Sequence, residues 1–363
     1  MKAITAGAAG QGRRRPLAVA ARAIGAGAVI AGSAAAVYAE RGMLRSGMAA
    51  LWHARPGWIT AAIALECLSM AGFVLVQRRL FAAAGARPAF HALLATDYAS
   101  NAIAVGLPIA GSGLAAATTV RRLRRHGIDP AAIELTLGLA GVISAVGFAA
   151  TVAAGAVLTG NPAGAVTGLL ASCGSAAAAA VLVIVAHSAS GRARLTPAAA
   201  SAVRLAQRIA RRPAGDPGEI AARAIGQLAS LRLGPLAVGY LLACSVVNWV
   251  ADALCLAAAI AAAGLPVPWG KLLLVWSAGA GASTLSPTPF GIGVVEPALI
   301  AAMAAVGTGS PRAAGAVLLY RIITFKIAGL IWVAYLYLRQ RAQALTHCRS
   351  HGVATGVSRG RSG

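Results

Sequence analysis

Long apolar runs alternate with short polar connections along almost the whole chain. Six of these runs are long enough to cross the roughly 30 Å hydrocarbon core of a bilayer as α-helices. The predicted spans are 17–38, 56–76, 131–158, 165–187, 236–263 and 313–338. The pattern therefore predicts an all-α polytopic membrane protein.

The first run allows two interpretations. It follows three arginines at 13–15, a basic flank that also precedes secretory signal peptides, and Val37 and Ala39 form a passable cleavage site. A cleaved signal peptide is therefore one alternative. The length of the run and the five spans that follow it favour an uncleaved anchor.

Two further apolar stretches, 91–120 and 271–303, are interrupted near their middles. The breaks read Gly-Leu-Pro-Ile-Ala-Gly-Ser-Gly at 106–113 and Ser-Pro-Thr-Pro-Phe-Gly-Ile-Gly at 286–293. Proline removes a backbone donor and glycine is a poor helix former, so an unbroken helix through either break is costly. Each stretch is predicted to be a hairpin of two half-helices.

The charge balance shows which side of the membrane each connection faces. Only 11% of the residues are charged, against roughly 25% in soluble domains, and 32 Lys and Arg outnumber 9 Asp and Glu for a net charge of +23. No interleaved aromatic residues or recognised module accompany the arginines, so nucleic-acid binding is not expected. In a membrane protein, basic residues mark cytoplasmic connections. The basic segments are the N-terminus, 77–90, 121–126, 188–234 and the C-terminal tail.

Placing the basic segments inside determines the topology. Hairpin 91–120 then begins and ends in the cytoplasm, whereas 271–303, reached through the uncharged connection 264–270, begins and ends outside. Each hairpin is predicted to be re-entrant, an arrangement tolerated at membrane depth only inside protein or beside a wet cavity. Both termini are predicted to be cytoplasmic, and the mixed segment 39–55 is the one imperfect assignment.

A unit of span, hairpin and span occurs twice, at 56–158 and at 236–338. The two units run in opposite senses, as in many secondary transporters, so an inverted repeat is predicted. The predicted parts are a cytoplasmic N-terminus 1–16, membrane repeat one 17–158, membrane repeat two 165–338 with the basic cytoplasmic loop 188–234 inside it, and a cytoplasmic tail 339–363.

Five charged residues fall deep inside apolar segments, where a charge costs about 2.5–3.5 kcal/mol on insertion. They are Glu66, Asp252, Glu296, Arg321 and Lys326. One interpretation is a polar pocket at the membrane midplane between the repeats. The alternative is structural pairing, of Glu296 with Arg321 or of Asp252 with Lys326. We favour function for Glu296 and Arg321 and leave both interpretations open for the other three.

The breaks offer a second kind of site. A half-helix that starts at Gly111–Gly113 or at Gly291–Gly293 presents free amides and a positive dipole end, which bind phosphate. The alternative is that these glycines only permit tight turns and close helix packing. Two other acidic residues, Asp97 and Glu134, lie nearer the membrane interface and are expected to be solvated or to cap helices.

Segment 188–234 is rich in arginine, and Arg204, Arg208 and Arg211 fall on one helical face beside apolar residues. This pattern is typical of a surface helix on anionic lipid, at about 1 kcal/mol per basic residue near the headgroups. A loop that only sets the topology is an equally good interpretation.

The sequence contains no recognisable metal-binding or catalytic motif. The five cysteines include no CxxC pair, and the six histidines are scattered without an HExxH motif. There is also no Asp pair at protease spacing. We therefore expect no metal, no cofactor and no enzymatic activity.

Segments around both breaks resemble signatures of the lysylphosphatidylglycerol synthase transmembrane-region family, which comprises flippase-like membrane proteins. Those at the first break read Asn101-Ala-Ile-Ala-Val-Gly-Leu-Pro108, Gly111-Ser-Gly113 and Arg121-Arg-Leu-Arg-Arg-His-Gly127. The likeness is closer at Pro287-Thr-Pro-Phe-Gly-Ile-Gly-Val-Val-Glu296 and Ala316-Val-Leu-Leu-Tyr-Arg321-Ile-Ile-Thr324. It runs from the first span to about residue 340.

The resemblance implies site residues in both hairpins and leaves the substrate open. The chain lacks the acidic residue that some members carry after the first break, and Lys326 stands where an aromatic residue is usual. Bifunctional members carry a soluble aminoacyl-transferase domain after the membrane part. Here only about 25 residues follow the last span, so that reaction is not expected.

These features favour a multi-pass protein of a bacterial cytoplasmic membrane that moves an anionic lipid, of phospho- or polyprenyl-phosphate type, between leaflets. The alternative is a non-transporting accessory protein that presents lipid to a separate glycosyl- or aminoacyl-transferase. The expected partners are membrane lipids and, for the alternative, such a transferase. The candidate binding residues are Asn101, Pro108, Gly111, Gly113, Pro289, Gly291, Gly293, Glu296 and Arg321, with Glu66, Asp252 and Lys326 as secondary candidates.

Overall fold

The structure is a computed structural model of the chain. It describes residues 54–106, 111–160, 188–210, 215–230, 233–285, 293–310 and 312–324, with a few single residues and pairs between 166 and 185. The described residues form helices and no strand, which confirms the all-α prediction. In chain order the helices are α1 (Pro56–Ala83), α2 (Phe90–Gly106), α3 (Gly111–Arg125), α4 (Pro130–Leu158), α5 (Ala189–Ala210), α6 (Pro217–Ser230), α7 (Pro235–Ala262), α8 (Leu272–Leu285, after a 3-10 turn Trp269–Lys271), α9 (Val295–Ala305) and α10 (312–324).

Three of the described helices are long and apolar enough to cross a membrane: α1, the Ala132–Leu158 part of α4, and α7. They coincide with the predicted spans 56–76, 131–158 and 236–263. The predicted span 17–38 lies outside the described residues, and 165–187 is described at only a few positions. Helix α10 covers the first part of the span predicted at 313–338.

Both predicted helix breaks occur at their predicted places. Helix α2 ends at Gly106 and α3 begins at Gly111, while α8 ends at Leu285 and α9 begins at Val295. The two helices on either side of each break pack against one another, so each pair is a helical hairpin.

Small residues bring the helices of each hairpin close together. In the first hairpin the hydroxyl groups of Ser100 and Thr119 hydrogen-bond across the interface. In the second, Leu299 of α9 occupies the space beside Gly279 of α8, where a Cβ would lie 2.5 Å from Leu299 Cδ2. Close approach through small residues is a common way for helices to associate in membranes.

Helices α1 and α7 begin and end alike. Each has 28 residues and starts with a proline, Pro56 or Pro235. The fixed φ of proline suits the first helical position, where its missing N–H has no intrahelical partner to lose. Each helix is followed by a glycine in the left-handed region, Gly85 with φ 81° and Gly264 with φ 74°. Glycine adopts this helix-ending conformation without a Cβ penalty.

Helices α1 and α7 are antiparallel and pack along most of their lengths. The N–H of Arg55, which precedes α1, donates to the carbonyl oxygen of Ala262 at the end of α7 (3.0 Å). At the other ends, Leu80 and Leu241 share a buried cluster. Between these points Gly72 allows close approach, because a Cβ there would lie 2.9 Å from a carbonyl oxygen of α7. Helix α4 packs against both, and α8 packs against α4 and α7.

The basic segment 188–234 contains two helices, α5 and α6, which pack on each other. Ile225 and Leu228 of α6 are buried against a cluster that includes Ala83 of α1 and Leu139 of α4. The segment is thus helical rather than a plain loop, and this apolar face of α6 contacts the helix bundle.

Candidate functional site

A buried ion pair joins α9 to α10. The Nε of Arg321 donates to Oε1 of Glu296 across 2.8 Å, and the two residues are only 8% and 5% exposed. The sequence selects both residues as site candidates and offers their pairing as the structural alternative. The structure confirms that they are in contact.

Glu296 also shapes the second break. It lies in the first turn of α9, and its Oε2 accepts a hydrogen bond from the backbone N–H of Gly293 (3.0 Å). A side-chain acceptor here satisfies one of the amides left unpaired at a helix start, and its charge suits the positive end of the helix dipole. Gly293 has a φ of 81°, which favours glycine at this turn. One carboxylate therefore holds two donors, an amide and a guanidinium.

Asp252 of α7 is held by two aromatic donors from other helices. The indole Nε1 of Trp276 donates to Oδ2 across 2.9 Å, and the hydroxyl of Tyr320 donates to Oδ1 across 2.9 Å. Tyr320 precedes Arg321 on α10, so Asp252 lies next to the ion pair and within electrostatic range of its guanidinium. Lys326, the partner predicted for Asp252, lies outside the described residues.

Two aromatic rings, those of Phe148 and Trp249, pack against Trp276 and position it for this hydrogen bond. The ring centroid of Phe148 lies 5.1 Å from that of Trp249 and 5.5 Å from that of Trp276, and the two indoles are 5.8 Å apart. Trp249 is anchored in turn, since its Nε1 donates to the carbonyl oxygen of Ser144 across 2.8 Å. The three residues come from α4, α7 and α8, so their packing fixes those helices around Asp252.

Glu66 of α1 is the third buried acid of this region. It is 5% exposed and lies within electrostatic range of Asp252. Tyr98, Cys255 and Tyr320 lie within the same range of its carboxylate. Within the part of the chain that the structure describes, Glu66 has no hydrogen-bond partner. The structure therefore brings Glu66, Asp252, Glu296 and Arg321 into one polar region between helices.

Residues 17–332 match the family described as lysylphosphatidylglycerol synthase TM region. The chain belongs to this family. The match covers every described helix, both hairpins and the Glu296–Arg321 pair, and it confirms the predicted resemblance. No curated protein matches the chain. Family membership together with the apolar helices makes it an integral membrane protein.

Only some of the residues that match the family at the two breaks lie in the part of the chain that the structure describes. Asn101 is half-buried on α2, and Gly111 and Gly113 lie in the first turn of α3. Gly293 lies in the turn before α9. Pro108, Pro289, Gly291 and Lys326 lie outside the described residues.

A second polar contact lies away from this region and has no counterpart among the sequence predictions. The sequence predicts a solvated or capping Asp97, but the residue is buried, and Gln77 Nε2 donates to both of its carboxylate oxygens at 3.0 and 2.9 Å. The prediction is wrong because Asp97 lies on the face of α2 that packs against α1. The sequence carries no clear signal for this contact, since Gln77 follows the predicted span 56–76 and directly precedes Arg78 and Arg79. Glu134, by contrast, is exposed as expected.

A cavity of about 530 Å³ lies where the connection from α1 to α2 meets the connection from α3 to α4. Its wall includes Arg87, His91, His126 and Asp129. Ala84, which also lines it, packs beside α6. The cavity is therefore a partly basic recess at the open end of the first hairpin.

Proposed function

We propose that this protein moves an anionic, phosphate-bearing lipid between the leaflets of a bacterial cytoplasmic membrane. Its family and its apolar helices support the membrane location. The observation that carries the proposal is the buried Glu296–Arg321 pair beside the second helix break. A guanidinium and a backbone amide at a helix start are both donors that suit a phosphate group.

In this proposal Glu296 occupies the place of the lipid phosphate. Its carboxylate accepts from Gly293 N–H at 3.0 Å and from Arg321 Nε at 2.8 Å. An arriving phosphate would take over these two donors, and Glu296 would swing away. Exchanging one anion for another spares Arg321 the cost of being buried without a partner. The amides at the start of α3, at Gly111 and Gly113, would form the matching contact at the first break.

An inverted repeat would supply the two access states. Support comes from α1 and α7, which have equal lengths and antiparallel directions. Further support comes from a second pair of left-handed glycines, Gly127 after α3 and Gly307 after α9, with φ of 77° and 85°. We propose that the two hairpins are re-entrant from opposite faces, and that rocking of one repeat against the other exposes the site to each side in turn.

The basic recess at the first hairpin would receive the headgroup. Arg87, His91 and His126 line it beside one acidic residue, Asp129, and Arg124 and Arg125 at the end of α3 are exposed close by in the chain. The predicted topology puts this end in the cytoplasm. A positively charged mouth would raise the local concentration of anionic headgroups.

We propose a carrier rather than an enzyme. The carboxylates of Glu296 and Asp252 are each bound by two donors. Among the described residues no group of three or more His, Cys, Asp and Glu side chains could hold a metal ion. Binding and release of a headgroup need only the paired charges described above.

Reconstitution in liposomes tests the proposal. Purified protein would be incorporated with fluorescent phosphatidylglycerol or a fluorescent polyprenyl phosphate, and leaflet exchange followed by quenching of the outer leaflet. We expect exchange above that of protein-free liposomes, and its loss in Arg321→Ala. Arg223→Ala is the matched control, since Arg223 forms a salt bridge of 2.9 Å with Glu219 that is exposed on α6. Background exchange for both lipids by the wild-type protein would overturn the proposal.

A second candidate function is supported by the helices beside the recess. The pair α5 and α6 packs beside Ala84 at the recess, and Arg194 and Arg204 of α5 are exposed, which would suit docking of a separate lipid-modifying transferase. In that case the protein would present lipid without moving it. Co-purification with such an enzyme, and an unchanged cellular phenotype in Glu296→Ala and Arg321→Ala, would favour this candidate over transport.

A further inference from the structure

Among the residues that the structure describes, the polar region between the helices holds more acidic than basic groups. Its described members are three carboxyl groups, Glu66, Asp252 and Glu296, and one guanidinium, that of Arg321. Arg321 is bound by Glu296, so it cannot neutralise both other acids as well. Buried charges without compensation are costly, and a buried carboxyl group avoids the cost by taking up a proton.

Glu66 and Asp252 face each other from the two antiparallel helices. Glu66 lies one turn before Ser69 on α1, and Asp252 lies one turn after Asn248 on α7, and Ser69 hydrogen-bonds Asn248. Because the helices run in opposite directions, both acids lie on the same side of that hydrogen bond and at the same depth. Electrostatic contact between the two carboxyl groups agrees with this placement.

The two acids differ in their partners. Both oxygens of Asp252 accept hydrogen bonds, from Trp276 and Tyr320, which stabilises a carboxylate. Glu66 is 5% exposed and receives no such donor from the described residues. Within the described helices, the titratable groups that face Glu66 from other helices are Tyr98 on α2, Asp252 and Cys255 on α7, and Tyr320 on α10. The charge nearest to Glu66 among them is therefore negative.

We infer that Glu66 and Asp252 form a proton-binding pair in which Glu66 takes up one proton, and that the proton couples the membrane's proton gradient to lipid movement. The step is simple: a hydronium ion gives its proton to a carboxylate oxygen of Glu66 and leaves water behind. With Glu66 neutral, the repulsion between opposed charges is absent and α1 and α7 stay packed against each other, as they are in this structure. Release of the proton on the other side restores that repulsion. The coupling rests on the proposed transport function, whereas the proton site does not.

The coupling is tested in proteoliposomes that carry fluorescent phosphatidylglycerol and an imposed pH gradient. We expect the gradient to raise wild-type exchange several-fold, and Glu66→Gln to abolish that response. Glu134→Gln, which neutralises an exposed carboxylate on α4, is the matched control and should respond like the wild type. Wild-type exchange at the same rate with and without the gradient overturns the proton coupling but not the proposed function. Wild-type exchange at background level, with or without a gradient, overturns the proposed function.

Infrared difference spectroscopy tests the proton site without transport. Raising the pH of purified protein should remove the C=O stretching band of a protonated carboxyl group. Because Asp97 is a second buried carboxyl group, the band of Glu66 is the component that should be lost in Glu66→Gln, kept in Glu134→Gln and Asp97→Asn, and shifted in frequency in Glu66→Asp. The first result is the spectrum of the wild-type protein, which does not depend on how well any variant folds. Absence of any such band from the wild type, or a band in Glu66→Gln identical to that of the wild type, overturns the inference.

Discussion

Ser69 Oγ donates a hydrogen bond to Asn248 Oδ1 across 3.2 Å, and the two residues lie 179 positions apart, at the same place in α1 and α7. In two antiparallel helices of equal length whose ends are level, residues at matching positions lie side by side only at the middle of the helices. Both helices have 28 residues and both residues lie at the middle, so the crossing is central. In the proposed inverted repeat, the symmetry axis would pass through this hydrogen bond.

Cysteine cross-linking checks this register. In a background without the native cysteines, Ser69→Cys combined with Asn248→Cys should form an intramolecular disulfide under mild oxidation, because the side chains are already in contact. Ser69→Cys combined with Leu236→Cys should not, since twelve residues of helix separate position 236 from 248, about 18 Å. Gel mobility before and after reduction measures both. Equal cross-linking of the two pairs would contradict the crossing described here.

Gly72 should be intolerant of any side chain. In Gly72→Ala the new Cβ would lie 2.9 Å from the carbonyl oxygen of Cys244 and 3.2 Å from the amide of Asn248, so backbone would have to move. We expect a loss of about 1–3 kcal/mol, as for other overpacked sites. The measurement is thermal unfolding in detergent.

Gly138→Ala is the control for that variant. Gly138 lies inside α4, and no atom lies within 4 Å of the position that a Cβ would occupy there, so alanine fits. Alanine is also the better helix former by about 1 kcal/mol. An equal loss of stability in the two variants would show that α1 and α7 are not in close contact at Gly72.

The Glu296–Arg321 pair should behave as a unit. Removal of either partner alone leaves the other charge buried, and such changes cost about 3–5 kcal/mol. The double variant Glu296→Ala with Arg321→Ala should cost clearly less than the two single changes together, because no charge is left behind. Thermal unfolding of the four proteins gives the coupling. Additive effects would mean that the 2.8 Å contact contributes nothing to the folded state.

Tyr320→Phe should weaken the hold on Asp252. The variant removes the hydroxyl that donates to Oδ1 across 2.9 Å and keeps the ring. Hydrogen bonds to charged groups contribute about 1.5–3 kcal/mol, so both stability and lipid exchange should fall. Tyr240→Phe, at a half-exposed tyrosine of α7, should leave both unchanged. Wild-type stability and exchange in the Tyr320→Phe protein would show that the Tyr320 hydroxyl has no role in the site.

Features that depend on residues close together in the chain can be predicted from the sequence. Proline and glycine in the two breaks place the ends of α2, α3, α8 and α9 within a few residues. Pro56 and Pro235 begin helices because their fixed φ suits that position. The pairing of Glu296 with Arg321 can also be proposed, because each is an isolated charge in an apolar segment and needs a partner.

Features that depend on helix rotation and packing cannot be predicted in this way. The sequence places Asp97 near water, but its side of α2 faces Gln77 on α1, and only the tertiary structure determines that rotation. Trp276 and Tyr320 are not candidates from sequence, because an aromatic residue in an apolar span has no signal that marks it as a donor to Asp252. The burial of α6 against the bundle likewise depends on how α1 and α4 pack.

The two hydrogen bonds that Glu296 accepts have a consequence for the protein when no lipid is bound. An open arginine between the helices of a membrane carrier would attract chloride and other small anions and would let them cross. Here the Glu296 carboxylate already accepts hydrogen bonds from the guanidinium and from the Gly293 amide, at 2.8 and 3.0 Å. A small inorganic anion must therefore displace this carboxylate, which is part of the chain and cannot diffuse away. On the proposed function, the unloaded protein keeps the membrane electrically insulating, and the lipid headgroup is admitted because its acyl chains anchor it beside the site.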